Sequence, residues 1–219
     1  MNLSTPRPTN PGRPKDPEKR AAILEAAVTL FLARGYDGVS MDAIAHSAGV
    51  SKLTAYSHFE DKESLFAAAV TECCEQQLPH RLFFPSTELP VAEALQTIGR
   101  GFMELVMDER AITLHRVVIG QAGQNTRLTE IFFSAGARRT LQDMEDFLRQ
   151  ADQSGALRLP DPARAAEHFF CLLKGLRHLR VLVGLSPKPT RAEREAHVDE
   201  VVALFMRAYA APATPGRMP

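Results

Sequence analysis

The 219-residue chain balances 26 basic against 26 acidic residues and is 45% hydrophobic, enough for a substantial core in one large or two small domains. No stretch approaches the roughly 18 consecutive apolar residues of a membrane span, and the opening MNLSTPRPTNPGRPK lacks the apolar segment of a signal peptide, so a cytoplasmic protein without a membrane partner is expected. Adjacent Cys73 and Cys74 and distant Cys171 form neither a disulfide framework nor a zinc spacing; reduced thiols in helices are expected, with no metal and no cofactor.

Residues 1–15 read as a flexible basic arm. The first twenty residues hold Arg7, Arg13, Lys15, Lys19 and Arg20 against only Asp16 and Glu18, while the prolines at 6, 8, 11 and 14 oppose regular structure. Such an arm can track phosphates beside a nucleic-acid-binding domain; by itself it is an ordinary disordered terminus.

From Asp16 to Arg34 the apolar residues Ile23, Ala26, Ala27, Leu30 and Phe31 recur at helical spacing, and Gly35 ends the run. Ser40 is a suitable N-cap for a short second helix with Met41, Ile44, Ala45 and Ala48 on one face, and Gly49 supplies a left-handed end. Ser51 can cap a third short helix reaching His58, anchored by Phe59. Asp61 caps a fourth, with Leu65, Phe66, Ala69, Val70 and Cys73 on one side.

Two short helices joined at a glycine turn and packed on a longer one predict a helix-turn-helix. In the third helix Val50, Ala55, Phe59 and part of Tyr56 can pack inward, which leaves Lys52, Leu53, Thr54, Ser57 and His58 outward. Short hydroxyl donors, a lysine, a tyrosine at the rim and no acid between Ser51 and Phe59 suit a helix lying in the major groove of DNA. The competing reading is a solvated helical hairpin, whose outer face would more typically carry Glu and Lys.

At these residues the run GYDGVSMDAIAHSAGVSKLTAYSHFEDKESLF, Gly35 to Phe66, resembles the DNA-binding domain of the TetR family of bacterial transcriptional regulators. The resemblance implies that Ser40 caps the second helix beside a phosphate, that Ser51 to His58 form the recognition surface, and that Tyr56 and Lys62 contact phosphates. Three positions depart from the family pattern. Ala55 replaces a larger aliphatic residue, Leu53 stands where glycine is common and could touch a thymine methyl, and Ser64 replaces a glutamate, which is expected to remove the capping-box partner of Asp61.

Beyond Phe66 the chain continues helical after a linker punctuated by Pro85 and Pro90. Apolar periodicity marks helices from Val91, from Asp108 to Gly120, around Leu128 to Phe133, and along Leu141 to Leu148 until Gly155. Asp161 and Pro162 start the next, where Ala166, Phe169, Phe170 and Leu173 form one apolar stripe and Ala165, Leu172, Leu176, Leu179 and Val183 a second. The last helix runs from about Arg191 to Tyr209. More apolar surface than one core needs predicts a homodimer packed through helices 162–184 and 191–209 as a four-helix bundle. A single short recognition helix reads too few base pairs, so a dimer on a palindromic double-stranded DNA operator is expected.

The segment His115 to Leu185 also resembles, more loosely, the AefR-like subgroup of the same family, through HRVVIGQAG, IFFSAGARRTLQDMEDFLRQ and AAEHFFCLLKGLRHLRVLVGL. The whole is therefore expected to be all-α: a helix-turn-helix domain over 16–62, a helical ligand-binding and dimerisation domain over 63–210, and a disordered tail over 211–219. The resemblance implies a repressor released by a small-molecule effector. The pocket residues expected are Phe102, Leu105 and Val106, then His115, Phe132 and Phe133, then Met144, Phe169, Leu173 and His178; each also reads as plain core.

Other classes compete with this one. The chain lacks G-x-S-x-G, H-E-x-x-H and a Walker loop, and Gly99 and Gly101 lack the third glycine of a dinucleotide loop, so no enzyme is expected. A thiol-based redox or metal sensor on the same scaffold is the runner-up, although adjacent cysteines in a helix point about 100° apart. A regulator without any ligand is a third reading, which a filled interior would favour.

Overall fold

The computed structural model describes residues 16–84 and 89–211, and among them it is built of helices. The basic arm, Pro85 and residues 212–219 lie outside the described residues. The first helix, α1 (Pro17–Arg34), is capped by Asp16 and closed by Gly35 at φ 70°. Ser40 Oγ accepts from the Ala43 amide at 3.2 Å to start α2 (Met41–Ser47). The chain then turns at Gly49, whose φ of 67° any side chain would strain. Ser51 Oγ accepts from the Thr54 amide at 3.1 Å to start α3 (Lys52–His58).

The next helix, α4 (Lys62–Gln77), corrects one expectation. Asp61 accepts from the Ser64 amide at 2.7 Å, and Ser64 Oγ accepts from the Asp61 amide at 3.2 Å, so the capping box is closed by serine without a glutamate. A single 3-10 turn at His80–Leu82 follows. The remaining helices are α5 (Val91–Met107), α6 (Glu109–Gln121), α7 (Thr126–Ala135), α8 (Ala137–Gln153), α9 (Pro162–Leu182) and α10 (Arg191–Tyr209). An antiparallel bridge between Leu157 and Ala210 ties the end of α10 to the loop before α9.

Two apolar cores result. In the first, Phe31 stacks on Tyr36 and both meet Phe66 edge to face, with ring centroids 5.3–5.5 Å apart, in one cluster with Ile23, Ile44, Ala55 and Leu65. Leu114, Val118 and Leu128 of α6 and α7 join this core, so the helix-turn-helix rests on the second half of the chain. Each such buried large side chain stabilises by about 1.5–3 kcal/mol. The second core joins α5, α8, α9 and α10 through Leu95, Ile98, Met144, Phe169, Leu173 and Phe205.

The two glycines of α5 serve close packing. A Cβ on Gly99 would lie 2.9 Å from Val198 Cγ1 of α10, and one on Gly101 would lie 2.9 Å from the Gln77 carbonyl that ends α4.

The long helix α9 is not continuous as the sequence pattern predicts. Gly175 takes φ 50° and ψ −166°, which breaks the ladder and makes two helical pieces. On these pieces Ala166, Phe169, Phe170 and Leu173 are buried, and Ala165 joins them. Leu172, Leu176, Leu179 and Val183 are exposed, Leu176 to 70%. Leu204 of α10 is exposed as well, so these apolar side chains stand without cover from the described chain.

Candidate functional site

The recognition helix α3 is held from below. Ala55 is fully buried and Phe59 nearly so, and Arg20 of α1 lies 5.4 Å from the Phe59 ring centroid. This places Lys52, Leu53, Tyr56 and Ser57 on the exposed side, with Leu53 82% exposed. Thr54 is half-buried and its hydroxyl meets that of Ser51 at 2.8 Å. Ser57 Oγ donates to the Thr54 carbonyl at 2.7 Å. His58 is half-buried, and its Nδ1 has no partner among the described residues.

Lys52 is the exposed cation of this face. Its ammonium lies 2.9 Å from Asp42 of α2 and 5.9 Å from the Tyr56 ring centroid, and the bond to Asp42 holds its pKa above the ordinary lysine range. Lys62 sits differently from the other expected contacts. It is half-buried, its ammonium donates to the Tyr36 and Val39 carbonyls at 3.0 and 3.1 Å, and it lies 4.2 Å from the Tyr36 ring centroid. That cation clamps the loop between α1 and α2. Burial, followed by the nearby Glu63, Asp61 and Asp37 carboxylates, pushes the Tyr36 phenol up to about 12.

A second feature lies behind α4. A cavity of about 300 Å³, partly open to solvent, is lined by residues of α4, α5, α6, α7, α8 and α9. Phe102, Leu105, Val106, His115, Phe132 and Phe133 line it, while Met144, Phe169, Leu173 and His178 do not. Met144, Phe169 and Leu173 are fully buried in the second core. On α9 it is Phe170, about 100° round the helix from Phe169, that faces the cavity. His178 lies past the Gly175 break, its ring 5.9 Å from that of His115.

Beyond the expected pocket residues, the lining also contains Cys73 and Cys74 of α4, Thr140 of α8, and Glu167, Cys171 and Lys174 of α9. Burial raises the Cys73 thiol to about 11 and the Cys74 thiol to about 12, so both are neutral and unreactive. Burial also lowers the pKa values of His115 and Lys174, and it takes His178 down to about 4 with help from Lys174 and His115. No group of three metal-ligating side chains occurs among the described residues.

Cavity and DNA face are mechanically joined. Val70, Cys73 and Cys74 of α4 form cavity wall, while the other end of α4 follows α3 directly. Arg110 of α6 grips Glu25 of α1 with two hydrogen bonds of 3.1 and 2.8 Å, and Arg127 of α7 reaches Glu63 of α4 at 2.9 Å. Arg116 of α6 donates to the Val181 and Leu182 carbonyls at the end of α9.

A helix-turn-helix seated on a second helical domain defines a DNA-binding transcriptional regulator. The chain belongs to the TetR family of bacterial regulatory proteins: residues 23–69 match that family's DNA-binding part, and residues 93–211 match the AefR-like transcriptional repressor C-terminal domain. These are regulators, not enzymes. A TetR-family transcriptional regulator of Mesorhizobium loti is 30% identical with a TM-score of 0.76, over 89% of this chain and 98% of its own. The flavonoid-responsive regulator FrrA is 29% identical with a TM-score of 0.69, over 90% of this chain and 100% of its own. The negative transcriptional regulator IcaR of the Staphylococcus aureus biofilm operon is 42% identical over 52 residues, 24% of this chain and 27% of that protein. The chain thus spans about a quarter of that curated relative's length.

Proposed function

We propose that the protein is a homodimeric repressor that binds a palindromic operator through α3 and leaves it when a small molecule enters the cavity. The observation that carries the DNA-binding half is the outer face of α3, where Lys52, Leu53, Tyr56 and Ser57 stand exposed without an acid among them, over an inner face fixed by Ala55 and Phe59. Ser40, Ser51, Thr54 and His58 flank that face; in this reading the two capping serines sit at helix starts beside phosphates. Lys62 serves here as a clamp.

The uncovered leucines of α9 and α10 favour a second copy as their partner, and two copies give two recognition helices for the half-sites of one operator. The cavity favours a ligand-responsive regulator over one with a filled interior. A ligand that binds one arrangement of α4 better than another shifts the population of the other, and only that difference in affinity does so. The flavonoid response of FrrA is consistent with an effector of small-molecule size. The raised thiols of Cys73 and Cys74 count against the redox alternative.

The test is selection of random duplexes on the purified full chain, followed by salt titration of the best binder. Enrichment of a two-half-site palindrome supports the reading. Absence of any enriched sequence at low salt, from protein shown by mass spectrometry to carry no bound molecule, refutes it.

A further inference from the structure

The cavity wall is mostly apolar, with Phe102, Phe132, Phe133 and Phe170 supplying its bulk. Set into that wall are two bases on facing helices, His115 of α6 and Lys174 of α9. Neither makes an ion pair with a described residue. His115 Nδ1 turns back to its own helix, 3.1 Å from the Ala111 carbonyl, and Lys174 is half-buried one turn beyond Cys171. Behind them His178 is 5% exposed, and its Nε2 has no partner among the described residues.

Three groups able to carry positive charge therefore meet inside an apolar wall. Burial of such groups without a counter-ion is unfavourable, and the protein relieves it by holding them toward their neutral forms. The other titratable groups of the lining do not supply the missing charge. Cys73 and Cys74 face the cavity from α4 as neutral thiols. Glu167 is exposed at the rim, two turns before Lys174, and Cys171 is exposed. An apolar space beside unpaired bases is matched by a molecule that fills the space and brings the anion.

We propose that the cavity takes an apolar molecule with a single acidic oxygen head, a carboxylate or phenolate, and that Lys174 pairs with that anion beside His115. This rests on the effector-cavity reading above and narrows it to a ligand class. An arriving carboxylate or phenolate supplies the counter-ion that neither base finds in the described chain, and its charge favours the protonated form of each. The cavity of about 300 Å³ lies at the small end of the roughly 300–1,000 Å³ typical of small-molecule sites, so one compact or single-chain molecule is accommodated.

The test uses three probes with one body and different heads, decanoate, decanamide and decylamine, titrated calorimetrically into the full-length protein at pH 8. Decanoate is expected to bind at least about tenfold more tightly than decanamide, the increment of a charge-assisted hydrogen bond, with decylamine weakest. In Lys174→Met, which keeps the apolar stem, decanoate should fall to the level of decanamide while decanamide is unchanged. Tighter binding of decylamine, which would place the head at Glu167, overturns the proposal. So do equal binding of decanoate and decanamide and binding by none of the probes. Parallel titration with duplex DNA separates the readings: normal DNA binding with the wrong probe order sinks only the ligand class.

Discussion

The ammonium of Lys52, on the recognition helix, is held 2.9 Å from the carboxylate of Asp42 on the helix before it. Both side chains are mostly exposed, so the pair adds little to stability and instead sets the resting state of the DNA face. A phosphate at this position must compete with Asp42 for the same cation. Replacing Lys52 by Ala is expected to weaken binding to all duplexes alike and to reduce the slope of log K against log salt by about 0.9, one phosphate contact. Asp42→Asn should act oppositely, raising non-specific affinity by roughly two- to fivefold at low salt and less at high salt. Fluorescence anisotropy over a salt series checks both; an Asp42→Asn protein that binds no more tightly would show that Lys52 is not a phosphate contact.

Lys62 makes a contrasting prediction. Its ammonium is committed to the Tyr36 and Val39 carbonyls and lies against the Tyr36 ring, so its removal leaves two carbonyls without their donor. Lys62→Met should cost about 1–3 kcal/mol of stability. The salt slope of DNA binding, measured well below the melting temperature, should stay within error of the parent. A slope reduced by about 0.9 would instead assign Lys62 to a phosphate.

These two lysines mark the limit of what the sequence made legible. Helix starts were readable because Ser40, Ser51, Asp61 and Asp161 cap through local chemistry, and each does so here. The inward set of α3 was equally readable from spacing. Which way a long flexible lysine turns depends on carbonyls 23 and 26 residues away for Lys62, and no local pattern encodes that. The break at Gly175 was hidden because LLKGLRH keeps its apolar spacing across the glycine. On α9 the adjacent Phe169 and Phe170 both read as apolar, and only tertiary packing decides that Phe169 enters the core and Phe170 the cavity. Nothing local marks Lys174 as cavity wall, because a lysine ordinarily reads as solvated.

The buried imidazoles give a pH dependence with a definite sign. His178 titrates near its ordinary 6.5 when unfolded and at about 4 in the fold, because burial, Lys174 and His115 all disfavour its charge. Between those values the unfolded chain binds a proton that the folded one does not, so stability falls as the pH is lowered from 6.5 toward 4. The loss reaches about 2–3 kcal/mol for this group. His115, shifted the same way by burial, adds to it. Urea unfolding at pH 7 and pH 5 should show the difference, and His178→Leu should flatten the slope in part, leaving the share due to His115. A stability that rises on acidification over this range would mean that His178 gains rather than loses proton affinity on folding.

The exposed leucines of α9 carry the last prediction. Leu176 is 70% exposed, and Leu172, Leu179, Val183 and, on α10, Leu204 are exposed as well, although Phe169 and Leu173 of the same helix are fully buried. A charge placed there touches no described core residue, so Leu176→Asp should keep the helical circular dichroism signal and thermal stability of the isolated fold. If the face is a dimer interface, two aspartates meet across it, and the protein should sediment as a monomer at concentrations where the parent is a dimer. Losing the second recognition helix removes the avidity of two linked contacts, so operator affinity should drop by on the order of 100-fold or more, while binding to a single half-site changes little. A Leu176→Asp protein that still sediments as a dimer would move the interface elsewhere. A parent protein that sediments as a monomer would remove the need for a palindromic operator altogether.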